Sequence, residues 1–145
     1  MNSMISVIMP CYNQAQYMPA ALQSLLDQDY IHWECIMVND GSSDNTEEVA
    51  LKWVAKDSRF RYFKKENSGV CDTRNYAIKE AIGEYIIPLD GDDKLGPQYF
   101  SEAIETFTKD REVRLIYCDT ILFGDRNEKI SNPPFVFEKM LTGNL

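Results

Sequence analysis

Short apolar runs alternate along this chain with longer stretches whose apolar residues recur at helical spacing, and this alternation narrows the fold more than any other feature. Ile5 to Met9, closed by Pro10, is too brief for a helix and reads as a buried strand. Met18, Leu22, Leu25 and Leu26 then mark a helix, with Pro19 tolerated in its first turn. Trp33 to Val38 is a second strand, ending in the turn-rich Asn39-Asp40-Gly41-Ser42-Ser43-Asp44-Asn45. Val49, Ala50, Trp53 and Val54 line a second helix, and Phe60 to Phe63 is a third strand. After the break at Asn67-Ser68-Gly69, a third helix carries the stripe Ala77, Ile78, Ala81 and Ile82 and is expected to end in a left-handed cap at Gly83. Glu84 to Leu89 makes a fourth strand. Pro97 opens a fourth helix with Phe100, Ala103, Ile104 and Phe107 on one face, and Arg114 to Cys118 reads as a fifth strand. Asp125 to Glu128 is a turn after Ile121 to Phe123, the mark of an antiparallel edge hairpin near the C-terminus.

Repeated strand and helix predict an α/β fold: a mostly parallel sheet with helices on both faces. In such sheets ligands collect beyond the carboxyl ends of the strands. The segments after strands one, two and four are Cys11-Tyr12-Asn13, Asp40-Gly41-Ser42 and Asp90-Gly91-Asp92-Asp93, and the topology places all three at one edge.

At 145 residues the chain has the length of one domain. It carries 15 Lys and Arg against 23 Asp and Glu, a net charge of −8, which disfavours a nucleic-acid partner. No apolar segment is long enough to span a membrane, and the N-terminus lacks the basic region of an export signal. The four cysteines form no CxxC pair, so they read as reduced thiols in a cytoplasmic protein, with Cys35 and Cys118 in the core. Peripheral attachment at the inner face of the membrane remains compatible with this reading.

The acidic loop carries the chemistry. Asp90, Asp92 and Asp93 repel one another unless a cation or protons compensate, and carboxylate oxygens suit Mn2+ or Mg2+ completed by water and substrate phosphates. The same residues would also make a solvated acidic turn. Neither the dinucleotide GxGxxG fingerprint nor the GxxxxGK[ST] phosphate loop occurs. Elsewhere the plain readings hold: His32 as surface structure, Trp33 and Trp53 as core, Lys64-Lys65 as an exposed strand end. Asp40 could also cap the helix that follows it.

Taken in order, the motifs resemble glycosyltransferase family 2, inverting nucleotide-sugar glycosyltransferases of the GT-A fold. Ser6-Val7-Ile8-Met9-Pro10-Cys11-Tyr12-Asn13 resembles the family's opening strand and P-x-Y-N turn, whose tyrosine lies against the nucleotide base. Ile36 to Thr46 is similar to the strand and loop whose aspartate accepts a hydrogen bond from uracil, here Asp40, with Asn39 where the family usually has Asp. Asn67 to Asn75 is similar to the segment whose arginine, here Arg74, approaches the diphosphate. Glu84 to Asp93 resembles the strand carrying D-x-D.

The resemblance implies a nucleotide-sugar site of Pro10, Tyr12, Asp40, Arg74, Asp90 and Asp92. Asp90 is assigned to the ribose and Asp92 to the metal, and an alternative register brings in Asp93 as a metal ligand. It implies a hexosyltransferase-type enzyme of polysaccharide biosynthesis, taking its sugar from a nucleoside diphosphate sugar, expected to be a UDP-sugar. The sugar passes with inversion to the hydroxyl of a saccharide or lipid-linked acceptor, assisted by Mn2+ or Mg2+. Residues 1–145 are expected to form a single nucleotide-sugar-binding domain that stops before the acceptor-binding half and its general base. Asp119, Asp125 and Glu138 read as turn or surface charge. Two other classes stay open: a noncatalytic nucleotide-binding or interaction module of the same fold, and a metal-dependent phosphohydrolase.

Overall fold

The computed structural model describes residues 3–132. Strands β1 (Ile5–Cys11), β2 (Trp33–Asp40), β3 (Phe60–Lys65) and β4 (Tyr85–Pro88) form one sheet in the order β3-β2-β1-β4, and every pairing in it is parallel. Helices α1 (Met18–Leu26), α2 (Thr46–Lys56), α3 (Val70–Glu80) and α4 (Tyr99–Lys109) connect or follow the strands. A separate hairpin pairs β5 (Thr120–Leu122) with β6 (Glu128–Ile130).

Side chains of a strand alternate between faces, and here the alternation divides the core. Ile5, Val7, Met9 and Cys11 of β1 join Trp33, Cys35 and Met37 of β2 beneath Met18, Leu22 and Leu25 of α1, Ala50 of α2 and Phe100 of α4. Ile8, Ile36 and Val38 point the other way, onto Ala77 of α3. The sheet is thus covered on both faces, as expected. Trp33 anchors the larger cluster, with ring centroids 5.5 Å from Phe60 and 6.3 Å from Phe100. Burying side chains of this kind contributes about 1.5–3 kcal/mol each. Phe107 stacks on Tyr85 at 4.4 Å, confirming the apolar face of α4.

A polar clasp crosses the amino end of the sheet. The buried Glu34 accepts hydrogen bonds from Ser6 Oγ at 2.7 Å, the Ile82 amide at 2.9 Å and Arg61 Nη1 at 2.8 Å. Burial alone would raise its carboxyl, but these donors outweigh it and hold it below the usual glutamate range. Gly83 N donates to Ser6 Oγ at 2.8 Å, so the clasp sets where α3 hands over to β4.

Several expectations are corrected. Among the described residues Arg114 to Cys118 is not assigned to a strand, and Leu115 and Tyr117 are exposed, so short apolar content alone is not enough to make one. Cys118, expected in the core, is also exposed. The stripe assigned to α3 is out of phase, since Ile78 and Ile82 are exposed while Thr73 and Ala77 are buried, and the helix ends at Glu80. Gly83 is not among the glycines with positive φ; its lack of a side chain matters because a Cβ there would come within 2.7 Å of Met4 O, Ser6 N and Ser6 Oγ. The terminal residues that carry Glu138 lie outside the described residues. Among those described, no helix is long and apolar enough to cross a membrane.

Candidate functional site

At the carboxyl edge of the sheet the ends of β1, β2 and β4 meet the start of α3 around a cavity of about 410 Å3. Pro10, Cys11, Tyr12 and Gln14 line it from the first strand and its loop, Asp40 from β2, Asn67, Gly69, Val70 and Thr73 from the turn into α3 and its first turn, and Asp90 from the loop after β4.

Asp40 is the most heavily held of these residues. Its Oδ1 accepts from Lys65 Nζ at 2.6 Å and the Ser68 amide at 2.9 Å, and its Oδ2 accepts from the Gly69 amide at 2.9 Å. Burial pushes the carboxyl upward, and the Lys65 ammonium with the two amides more than offsets it, leaving Asp40 an ionised acceptor. The reading of Asp40 as a cap for α2 does not hold: it ends β2, and Asp44 Oδ1 takes the Thr46 amide at 3.0 Å. Lys65 is likewise not an exposed strand end. It sits opposite Asp40 in the β2/β3 register with its side chain 15% exposed, and it also reaches Asp72 at 3.2 Å.

The first loop is set by its backbone. Asn13 adopts positive φ, which asparagine tolerates better than most residues, and its Oδ1 accepts the Ser43 amide at 2.9 Å. Asn67 Nδ2 donates to the Asp40 carbonyl at 2.9 Å, tying the turn before α3 to the end of β2. Tyr12 projects from this scaffold with about half its surface exposed. Cys11 lines the cavity with its thiol pushed up to about 12 by burial and by Asp44 and Asp90, so it stays a thiol and not a nucleophile.

Arg74 Nη2 lies 2.6 Å from Asp90 Oδ1. Asp93 N donates to the Asp90 carbonyl at 3.0 Å, closing a tight turn around Gly91, and Gln14 Nε2 donates to Asp92 Oδ1 at 3.4 Å. The Asp93 carboxyl is raised by burial and by repulsion from Asp92 and Asp90. Such crowding of hard oxygen donors fits a divalent cation. Among the described residues no three His, Cys, Asp or Glu side chains are grouped to hold a metal, so this donor set suits an ion completed by a ligand's own oxygens.

Pro10, Tyr12, Asp40 and Asp90 therefore share one cavity, Arg74 joins through Asp90, and Asp92 joins through Gln14. Sequence reasoning missed Gln14, Lys65 and Asn67. Asn67 sat inside a quoted motif, and Lys65 becomes visible once β2 and β3 are known to pair in register; Gln14 carried no signal of its own.

The sequence profile described as glycosyl transferase family 2 matches residues 6–141. The chain belongs to that family. Its family 2 relatives include an uncharacterised glycosyltransferase of Rickettsia conorii, 42% identical over 125 residues, covering 85% of this chain and 19% of the relative. Chondroitin synthase of Pasteurella multocida is 34% identical over 143 residues, covering 96% of this chain and 15% of that protein. The putative teichuronic acid biosynthesis glycosyltransferase TuaG of Bacillus subtilis is 40% identical over 103 residues, covering 70% and 41%. The chain thus spans less than half the length of these relatives. Among solved structures, TarS 1-349 of S. aureus in complex with UDP superposes with a TM-score of 0.69 at 30% identity, covering 73% of this chain and 32% of that one. The mannosyltransferase PcManGT of Pyrobaculum calidifontis, in complex with GDP-Man and Mn2+, gives a TM-score of 0.68 at 23% identity, covering 74% and 33%; it shares the fold. The α/β architecture of this chain is GT-A-like.

Proposed function

We propose that this chain forms the donor-binding part of an inverting, hexosyltransferase-type glycosyltransferase that takes its sugar from a UDP-sugar. The observation that carries the reading is the convergence of Tyr12, Asp40 and Asp90 on one cavity, with the Arg74 guanidinium bonded to Asp90 beside it. The UDP complex of TarS and the family membership support the choice of donor.

In this reading the exposed Tyr12 ring stacks on the base. Asp40, kept ionised by Lys65 and two amides, can only accept, so it selects a base that offers an N–H. Asp90 takes a ribose hydroxyl, and Arg74 turns from Asp90 to the diphosphate, where a guanidinium binds two oxygens at once. Asp92 and Asp93 are the residues that would hold Mn2+ or Mg2+. When bound, the cation neutralises charge building on the departing nucleoside diphosphate. A base that deprotonates the acceptor hydroxyl of a saccharide or lipid-linked acceptor is required for inversion, and we assign none among the described residues. The free cysteines accord with a reducing cytoplasm, the compartment we assign.

Family membership favours this reading over a metal-dependent phosphohydrolase. Titration of UDP with and without Mn2+ tests it, on the wild type and on Asp92→Ala. Wild-type binding tightened by Mn2+ and lost in part by Asp92→Ala is the expected pattern. Equal affinity in all four titrations would remove the site, and phosphate release from simple esters without nucleotide preference would favour the hydrolase.

A further inference from the structure

Gln14 bridges two loops that the chain separates by 78 residues: its Nε2 donates to Asp92 Oδ1 at 3.4 Å. Its backbone is held on both sides, with the amide donating to Thr46 Oγ1 at 3.2 Å and the carbonyl accepting from Tyr17 N at 2.9 Å and Met18 N at 3.1 Å. The carboxamide therefore starts from a rigid base. Its other end lies over Gly91, where a Cβ would come within 2.6 Å of Gln14 Oε1 and 3.4 Å of Met18 Cγ. Gly91 is buried, so the Gln14 amide fills the space that a larger residue at that position would claim.

Stability alone does not explain a glutamine here. Gln14 Oε1 is buried with no hydrogen-bond donor among the described residues. An unpaired buried acceptor is destabilising, and a Met of the same length would fill the space without that loss. What the amide gains is the contact with Asp92, one of three neighbouring carboxylates whose mutual repulsion would otherwise spread the loop. A neutral donor on Oδ1 restrains this carboxylate without cancelling its charge, and it leaves Oδ2 free to ligate.

We infer that Gln14 is a positioning residue for the cation: it holds the Asp92 carboxylate, through the Gln14–Gly91 packing, in the orientation that receives a divalent ion alongside a nucleoside diphosphate. The inference rests on the donor-site reading above. Residues that orient metal ligands change metal affinity by about 10- to 100-fold when removed, and the long contact places this one near the lower end.

The test is the affinity of the chain for UDP, with and without Mn2+, in wild type, Gln14→Met and Gly91→Ala, with thermal unfolding measured in parallel. Gln14→Met keeps the packing and removes the donor. The expected result, read as the ratio of UDP affinities with and without Mn2+, is a metal-dependent gain about tenfold smaller than in wild type, with a thermal midpoint no lower. Gly91→Ala, which displaces the amide, is expected to lose the same gain. A full Mn2+ gain in Gln14→Met overturns the inference while leaving the donor-site reading intact, and so does an equal loss with and without metal, which would mark a merely structural role. A wild type that binds no UDP, or binds it without a Mn2+ gain, overturns the donor-site reading and this inference together.

Discussion

Arg74 Nη2 sits 2.6 Å from Asp90 Oδ1, with both side chains more than a third exposed. The guanidinium that the family resemblance directs to a diphosphate is thus engaged by a carboxylate of the acidic loop, and the Arg74 Nε beside it is buried with no hydrogen-bond partner among the described residues. An ion pair this exposed contributes at most about 1 kcal/mol to folding. Arg74→Ala is therefore expected to move the unfolding midpoint little while weakening UDP binding about tenfold or more. Arg74→Lys is expected to restore only part of the affinity, because an ammonium cannot reproduce the planar fork. Parallel thermal melts and UDP titrations check both, and equal losses in stability and binding would assign Arg74 to the fold instead.

Glu34 and Asp40 make folding depend on acid. Burial works against both carboxylates, and their donors overcome it, so each has a folded pKa below its unfolded one. The unfolded chain then binds more protons in that range, and the stability they supply is full above the ordinary carboxylate pKa of about 4 and lost as the pH falls through the lowered folded values. Urea unfolding between pH 7 and 3 is expected to show this fall. Glu34→Gln should flatten it and cost about 3 kcal/mol at pH 7, because Arg61 loses its buried partner. A pH profile unchanged by Glu34→Gln would contradict the assignment.

Gly83→Ala places a Cβ against the backbone at the start of β1, 2.7 Å from the O of Met4, which precedes the strand, and from Ser6 N within it. Backbone atoms in a paired strand cannot move aside cheaply, so a loss of about 2–3 kcal/mol is expected. Gly96→Ala is the control, since nothing lies within 4 Å of a Cβ there. Similar melting points for the two variants would show that the β1 contact is relieved at no cost.

Thiol accessibility should divide the cysteines in pairs. Cys71 and Cys118 are exposed, whereas Cys11 and Cys35 are buried and burial raises both thiols. A disulfide-exchange reagent is expected to label the exposed pair quickly and the buried pair only in denaturant. Fast labelling of Cys11 would mean that the cavity floor opens.

Reading the residues in order is enough for the α/β class, the alternation of elements as far as α4 and the three polar loops, because strand and helix periodicities are local and loop chemistry follows directly from them. It also determined Tyr12, Asp40, Arg74 and Asp90 as the residues to watch. Tertiary structure alone decided which of them meet and through what. The Asp40↔Lys65 register makes a buried ion pair from a lysine that reads as surface. The Gln14 amide reaches an aspartate from which it is remote in the chain. The hydrophobic stripe of α3 was misphased because exposed Ile78 and Ile82 look like core residues until the sheet beneath them is in place. Periodicity reports which residues can share a face, whereas hydrogen-bond partners depend on register and loop closure between distant segments, and those quantities exist only in the folded chain.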